Sequence, residues 1–266
     1  VSAPRAEPSA GPPPAGLPVL GKVAPAARGS WRILRALVHL LHGMAVLAWR
    51  FPSLDAAGRA ERIRWWSAKL LRTMGVALDV EGGPAPGARM VIANHISWLD
   101  IAALHATCPH ARFVSKADVR HWPLIGWLVE GVGTLFIERA SKRDALRVVH
   151  EVAAALQAGQ TIVVFPEGTT SDGRGVLPFH ANLLQAAIVG GVPIQPAVLR
   201  FSDPAHAVSP AAEFLGETTL VESVWRLVSA KGLRVRVRWL APVASAGANR
   251  RELAALLQQR VEAELR

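Results

Sequence analysis

From residue 76 onward, short apolar runs alternate with longer segments whose apolar residues recur at helical spacing. The runs at 76–81, 89–93, 112–115, 134–138, 161–165, 194–199 and 234–240 predict strands. The segments at 98–107, 123–130, 141–157, 180–189, 219–230 and 249–265 predict helices. This alternation predicts an α/β fold, a mixed, largely parallel sheet covered by helices. Leu233-Arg234-Val235-Arg236-Val237-Arg238-Trp239 differs from the other runs by alternating strictly. One face of that strand should be wet, which places it near a sheet edge with its arginines in solvent.

The front of the chain has another pattern. Residues 1–29 are rich in Pro, Ala and Gly, show no apolar period and lack the order of regions that makes a signal peptide. They predict a disordered segment. Residues 31–51 read as one helix, with an uncharged stretch of fourteen residues at 36–49 that includes His39 and His42. Crossing a bilayer takes about 20 apolar residues, and shorter runs lie at the interface or re-enter. Arg32, Arg35 and Arg50 flank both ends, which favours both ends on the cytoplasmic side. A buried soluble helix is the competing interpretation. Pro52-Ser53-Leu54-Asp55 marks a restart, and residues 56–74 predict an amphipathic helix with Ile63, Trp66 and Leu70 on its apolar side and Arg59, Arg62, Lys69 and Arg72 as its basic residues. The expected division is a disordered 1–29, a membrane-associated helical hairpin at 30–75, and a globular catalytic domain at 76–266.

Charge sharpens this division. The net charge is +10, and residues 1–75 hold eleven Lys/Arg against three Asp/Glu, leaving +2 for the remainder. Four of the nine tryptophans, Trp31, Trp49, Trp65 and Trp66, share that basic front end. Tryptophan and leucine interleaved with cations suit an anionic lipid surface. Nucleic acid is not expected as a partner, because no fold signature for it is present and the 76–266 part is nearly neutral. The single cysteine, Cys108, excludes an internal disulfide and suits a reducing compartment.

The candidate chemistry starts at Asn94-His95-Ile96-Ser97-Trp98-Leu99-Asp100, directly after the apolar run 90–93. An imidazole can take a proton from an alcohol, and a carboxylate can fix its tautomer and stabilise its charged form. Residues five apart on a helix point about 140° from each other. His95 should therefore sit in the turn leaving a strand, with Asp100 in the first turn of the next helix, at the strand end where open α/β sheets place their sites. Ser97 fits a helix N-cap; a serine hydrolase built on Ser97 and His95 is the rival enzyme class. Three further blocks follow: Gly133-Thr134-Leu135-Phe136-Ile137-Glu138-Arg139, Phe165-Pro166-Glu167-Gly168-Thr169-Thr170-Ser171, and Val192-Pro193-Ile194-Gln195-Pro196.

Together the four blocks resemble the glycerolipid acyltransferase family, over about residues 75–200. The His-x4-Asp and Phe-Pro-Glu-Gly-Thr-Thr-Ser blocks are specific, and the other two are supportive. The resemblance implies transfer of a fatty acyl group from acyl-coenzyme A or acyl carrier protein to the sn-2 hydroxyl of 1-acylglycerol-3-phosphate, giving phosphatidate. In that chemistry His95 is the general base and Asp100 its orienting acid. Gly133, Arg139, Glu167, Gly168 and Thr169 form the acceptor site, and the 192–196 block shapes the acyl region. Arg139 offers a guanidinium fork to a phosphate, and Lys116 at a strand end adds positive charge. A carboxylate repels phosphate, so Glu167 is expected to position Arg139 or to bond an acceptor hydroxyl. With no Walker loop, Rossmann fingerprint or zinc-ligand spacing, no metal or bound organic cofactor is expected, and the acyl carrier acts as cosubstrate. The expected location is the cytoplasmic face of the inner membrane, through a monotopic or re-entrant anchor.

One stretch departs from the family pattern. Many relatives carry Pro-Phe-Lys after the third block, whereas here Pro178-Phe179 is followed by His180. The missing cation keeps another lysolipid acceptor open, such as lyso-ornithine lipid. The non-enzymatic alternative is a basic membrane-binding module.

Overall fold

The computed structural model describes residues 20–137 and 142–266. Two helices come first, α1 (Leu20–Trp49) and α2 (Ala56–Met74), joined by a 3-10 turn at Phe51–Ser53. The strands are β1 (Ala77–Glu81), β2 (Arg89–Ala93), β3 (Arg112–Lys116), β4 (Leu135–Ile137), β5 (Thr161–Val164), β6 (Ile194–Ser202) and β7 (Arg234–Trp239). The remaining helices are α3 (Asp100–Thr107), α4 (Ile125–Gly131), α5 (Lys142–Gln157), α6 (Leu184–Gly190), α7 (Leu220–Ser229) and α8 (Arg250–Leu265).

The strands form one seven-stranded sheet in the order β1-β7-β6-β2-β5-β3-β4. Its pairings are parallel except β6 with β7. The run of β2 explains why the sheet is covered twice. Its five residues are all buried; Val91 and Ala93 join a core with α2, α3 and α7, while Met90 and Ile92 join a second core with α5, α6 and α8. Alternate side chains of a strand face opposite sides, so an unbroken apolar run needs a helical layer on each. β7 has the predicted wet face. It lies one strand from the edge, and Arg234 and Arg236 pair with Asp79 and Glu81 of β1 at 2.7 and 3.2 Å.

The front end differs from expectation at its boundary. Residues 20–29, expected to be disordered, continue α1. Tertiary contacts account for this. Arg28 donates to the carbonyl of Ser229 at 3.0 Å, and Arg32 donates to the carbonyls of Val228 and Ala230 at 2.8 Å each. These cations satisfy the open carbonyl end of α7, which no local propensity encodes. The rest of that segment, residues 1–19, lies outside the described residues. The restart before α2 is as expected, with Asp55 capping through the Gly58 amide at 2.8 Å.

Over Ala26–Trp49, α1 is long and apolar enough to cross a membrane by length and composition. Its apolar residues divide into two stripes. Ile33, Ala36, Leu40, Gly43 and Leu47 line an internal cavity, while Trp31, Leu34, Val38 and Leu41 are each more than half exposed. Both stripes run at alternating spacings of three and four, and two residues of offset set them about 200° apart. The helix therefore lies against the α/β body with one apolar side and presents the other outward.

Candidate active site

β2 and β5 pair in parallel with Ile92 opposite Val164, so both chains leave the sheet side by side at the same end. The first turn after β2 is pinned on its far side by Asn94. Its side-chain amide donates to the carbonyl of Leu199 at 2.9 Å and accepts from the Leu199 amide at 2.8 Å. The loop after β5 grips the same turn from the near side. The His95 amide donates to Oε1 of Glu167 at 2.7 Å, and the His95 carbonyl accepts from the amide and hydroxyl of Ser171 at 2.7 and 3.2 Å. The backbone of His95 is thus held at both its donor and its acceptor.

The side chain is held as firmly. Asp100 opens α3 and is fully buried, and its Oδ2 accepts from His95 Nδ1 at 2.8 Å, the Ile96 amide at 2.7 Å and the Ser97 amide at 2.9 Å. An oxygen that accepts two backbone amides acts as an acceptor, so the proton between the two side chains sits on Nδ1. Nε2 then carries the lone pair, and it has no partner among the described residues. The imidazole stacks on Phe165 at 4.0 Å between centroids and 15° between planes, which fixes the plane of the ring. Its side chain is 20% exposed, on the wall of a cavity of about 570 Å³. Apolar residues of α1, α2 and α4 dominate the remaining lining.

Other expected residues fall into two groups. Gly168, with φ of +72°, and exposed Thr169 border the cavity beside His95. Lys116 is exposed at the end of β3 and also reaches the cavity. Gly133 instead makes the turn from α4 into β4 at φ +84°, with its carbonyl taken by Arg112 Nε at 2.5 Å. Its neighbours Val132 and Thr134 are the ones that line the cavity. Arg139 lies outside the described residues.

Three expectations are corrected. Glu167 is not directed at an acceptor hydroxyl. It is buried, and both its oxygens are occupied by backbone amides, Oε1 by His95 and Oε2 by Leu177 at 2.8 Å. Burial pushes its carboxyl up, while those amides and Ser171 pull it down. Ser97 is not the N-cap of α3. Leu99 holds that position, and the turned-back carboxylate of Asp100 satisfies the amides instead, leaving Ser97 fully buried and unsuited to attack a substrate. The 192–196 block does not border the cavity. Val192 and Ile194 belong to the core on the other face, and Gln195 ties Ala85, Gly83 and Leu240 together at 2.8–3.1 Å. Sequence reasoning passed over Phe165 as a site residue; its place at the end of β5, just before the Pro166-Glu167-Gly168 turn, was the available signal.

Among the described residues no group of three His, Cys, Asp or Glu is placed to hold a metal ion. The arrangement offers a tautomer-fixed imidazole whose Nε2 has no partner among the described residues, set on an apolar chamber. Such a group has the chemistry to take a proton from a hydroxyl, and such a chamber has the character to hold an apolar chain.

Comparison with known proteins agrees with this chemistry. Residues 80–200 match the protein family described as Acyltransferase. The lyso-ornithine lipid O-acyltransferase of Pseudomonas aeruginosa is 35% identical over 240 residues, covering 88% of this chain and 92% of that protein. The 1-acyl-sn-glycerol-3-phosphate acyltransferase of Neisseria meningitidis is 38% identical over 171 residues, covering 63% of this chain and 66% of that protein. The crystal structure of the 1-acyl-sn-glycerophosphate acyltransferase from Thermotoga maritima has a similar fold, with a TM-score of 0.70 at 23% identity, covering 92% of this chain and 95% of that one.

Proposed function

The chain belongs to the acyltransferase family and is an acyltransferase, and from that premise we propose that it moves a fatty acyl group from an acyl thioester to the hydroxyl of a lysolipid, with lyso-ornithine lipid as the first acceptor. The observation that carries the reading is the imidazole of His95, bonded to Asp100 at 2.8 Å and set on an apolar cavity of about 570 Å³. Nε2 of His95 takes the proton of the lysolipid hydroxyl as its oxygen attacks the thioester carbonyl. The buried carboxylate of Asp100 stabilises the imidazolium that forms. Collapse of the tetrahedral intermediate expels the thiolate, which takes that proton from His95. The apolar cavity receives acyl chain. Gly168, Thr169 and Lys116 are assigned to the headgroup side together with Arg139, two cations that suit an anionic group, and Gly133 to the turn that leads into β4.

Two observations favour the ornithine lipid. The likeness to the Pseudomonas protein runs through the N-terminal helices, whereas that to the Neisseria protein spans about two thirds of either chain. His180 stands where a lysine would add a fixed cation, and a zwitterionic ornithine headgroup needs fewer of these than a phosphate monoester. The second reading, 1-acylglycerol-3-phosphate as acceptor and phosphatidate as product, draws on the 38% identity over 171 residues.

In this proposal residues 30–75 act as a membrane-associated hairpin on the cytoplasmic face and residues 76–266 as the catalytic domain. The outward stripe of α1, with Trp31 59% exposed and Val38 60% exposed, supports an interfacial helix. So does Arg32, whose attachment to α7 would be lost if α1 stood away from the body. The test is labelled acyl-coenzyme A or acyl carrier protein offered with both lysolipids. Faster turnover of lyso-ornithine lipid is expected. Phosphatidate as the dominant product selects the second acceptor, and no product from either overturns the lysolipid assignment.

A further inference from the structure

Between β3 and α4 the chain makes a strained turn whose apex is exposed. The Ile125 amide donates to the carbonyl of Pro123 at 2.7 Å, closing a three-residue γ-turn. Leu124 at its apex has φ 64° and ψ −47°. It is the one non-glycine residue with positive φ among those described. This hand of γ-turn is rare and strained, and leucine has no local means of easing it. The strained apex itself is not buried, although Gly126 just beyond it packs against the carbonyl of Arg120. Leu124 is 46% exposed, and the two tryptophans beside it, Trp122 and Trp127, are 36% and 45% exposed.

The position of the turn gives it a role. Trp122, Ile125 and Leu128 line the same cavity as His95, and Gly131 at the end of α4 packs so closely on Leu47 of α1 that an added Cβ would lie 2.3 Å from it. The turn and the C-terminal half of α1 therefore border the same cavity. Residues 122–127 carry no charged side chain, and the nearest arginine, Arg120, is engaged with Glu130. An acidic protein partner needs uncompensated cations, which this patch lacks. Two tryptophans around an apolar apex suit the headgroup and upper acyl region of a bilayer.

We infer that the 122–127 turn is a second lipid-contacting element, a wedge that enters the bilayer interface beside α1 and opens the cavity to lysolipid from the membrane. This rests on the proposed lysolipid acyltransferase function. It assigns lipid contact to the catalytic body itself, in addition to the N-terminal helices.

The test uses the full chain and vesicles of phosphatidylethanolamine and phosphatidylglycerol. Cys108 is fully buried, so Leu124→Cys supplies an accessible thiol for an environment-sensitive fluorophore. Adding vesicles should blue-shift that label and expose it to quenching by shallow lipid-borne nitroxides. A label at Val80→Cys, 47% exposed on the opposite sheet edge, should not respond. Trp127→Cys, labelled in the same way, gives an independent result. Leu124→Gly removes the apex side chain and suits the left-handed backbone, so folding is preserved. It should lower turnover of vesicle-borne lysolipid at least about fivefold relative to detergent-dispersed lysolipid.

If labels at 124 and 127 stay aqueous while one at Val38→Cys responds, the wedge is refuted and the acyltransferase reading stands. A blue shift that follows protein concentration without vesicles assigns the patch to a second copy and also refutes it. If the labels respond but no lysolipid is acylated, the functional reading fails and the membrane contact does not.

Discussion

At the scale of single residues, the site is one imidazole held through Nδ1, its ring face and its backbone. Nδ1 is committed to Asp100, the ring face to Phe165, and the backbone on either side to Glu167 and Ser171. Asp100→Asn keeps the size of that acid and loses its charge and its unambiguous acceptor. With the tautomer no longer fixed, kcat should fall about 10²-fold or more, with little change in the apparent KM for lysolipid. Steady-state kinetics checks this, and near-wild-type kcat would exclude the orienting role. Glu167 is a positioning residue. Glu167→Ala leaves the His95 and Leu177 amides without their acceptor, at a cost of about 1 kcal/mol or more for the part-buried His95 amide, so both the denaturation midpoint and kcat should drop. Glu167→Gln keeps one acceptor oxygen and should recover part of each. The His95–Asp100 adjacency was legible because five residues of sequence spacing constrain it. The partner of Glu167 was not, because a carboxylate 72 residues away in sequence offers no local sign that a backbone amide will claim it.

At the scale of elements, periodicity located strands and helices closely and left their ends to tertiary contacts. The predicted 89–93 strand is β2 residue for residue, since five buried positions leave no ambiguity of extent. The start of α1 was misplaced because Arg28 and Arg32 anchor it to the carbonyl end of α7. This latch makes a prediction about α1. Arg32→Met retains much of the aliphatic stem and loses both bonds, so the N-terminal half of α1 should exchange its amides at least about tenfold faster while the sheet is unaffected. Hydrogen exchange read by mass spectrometry decides it, and unchanged protection of α1 would show that the apolar stripe suffices. The two stripes themselves were present in the sequence, yet a spacing of three and four says only that a face is apolar. It does not say whether protein or lipid covers it.

At the scale of the whole molecule, two cores on either side of one sheet set the stability, and a buried histidine is one of the groups that tie it to pH. His105 is almost fully buried on α3, and neither ring nitrogen has a hydrogen-bond partner. Burial alone pushes it down to about 4. Above its ordinary value of 6.5 it is neutral folded or unfolded. Between 6.5 and about 4 only the unfolded chain takes up the proton, so folding stability is lost as the pH falls through that window. The full loss is about 3 kcal/mol. His105→Leu should flatten the stability profile between pH 6.5 and 4 in denaturant titrations, and an unchanged slope would place the acid sensitivity elsewhere.

The amino-acid sequence by itself determined the kinds of elements, their order, the wet face of β7 and the nearness of an acid to an imidazole, because each is set by periodicity or by spacing over a few residues. Only the tertiary structure decided which loops meet. The parallel register of β2 on β5 brings Glu167 and Ser171 onto His95, and the crossing of α1 over the body turns an apolar helix into a cavity wall. These depend on pairings between distant segments, which side-chain packing and backbone hydrogen bonding select together and which no short window of residues contains.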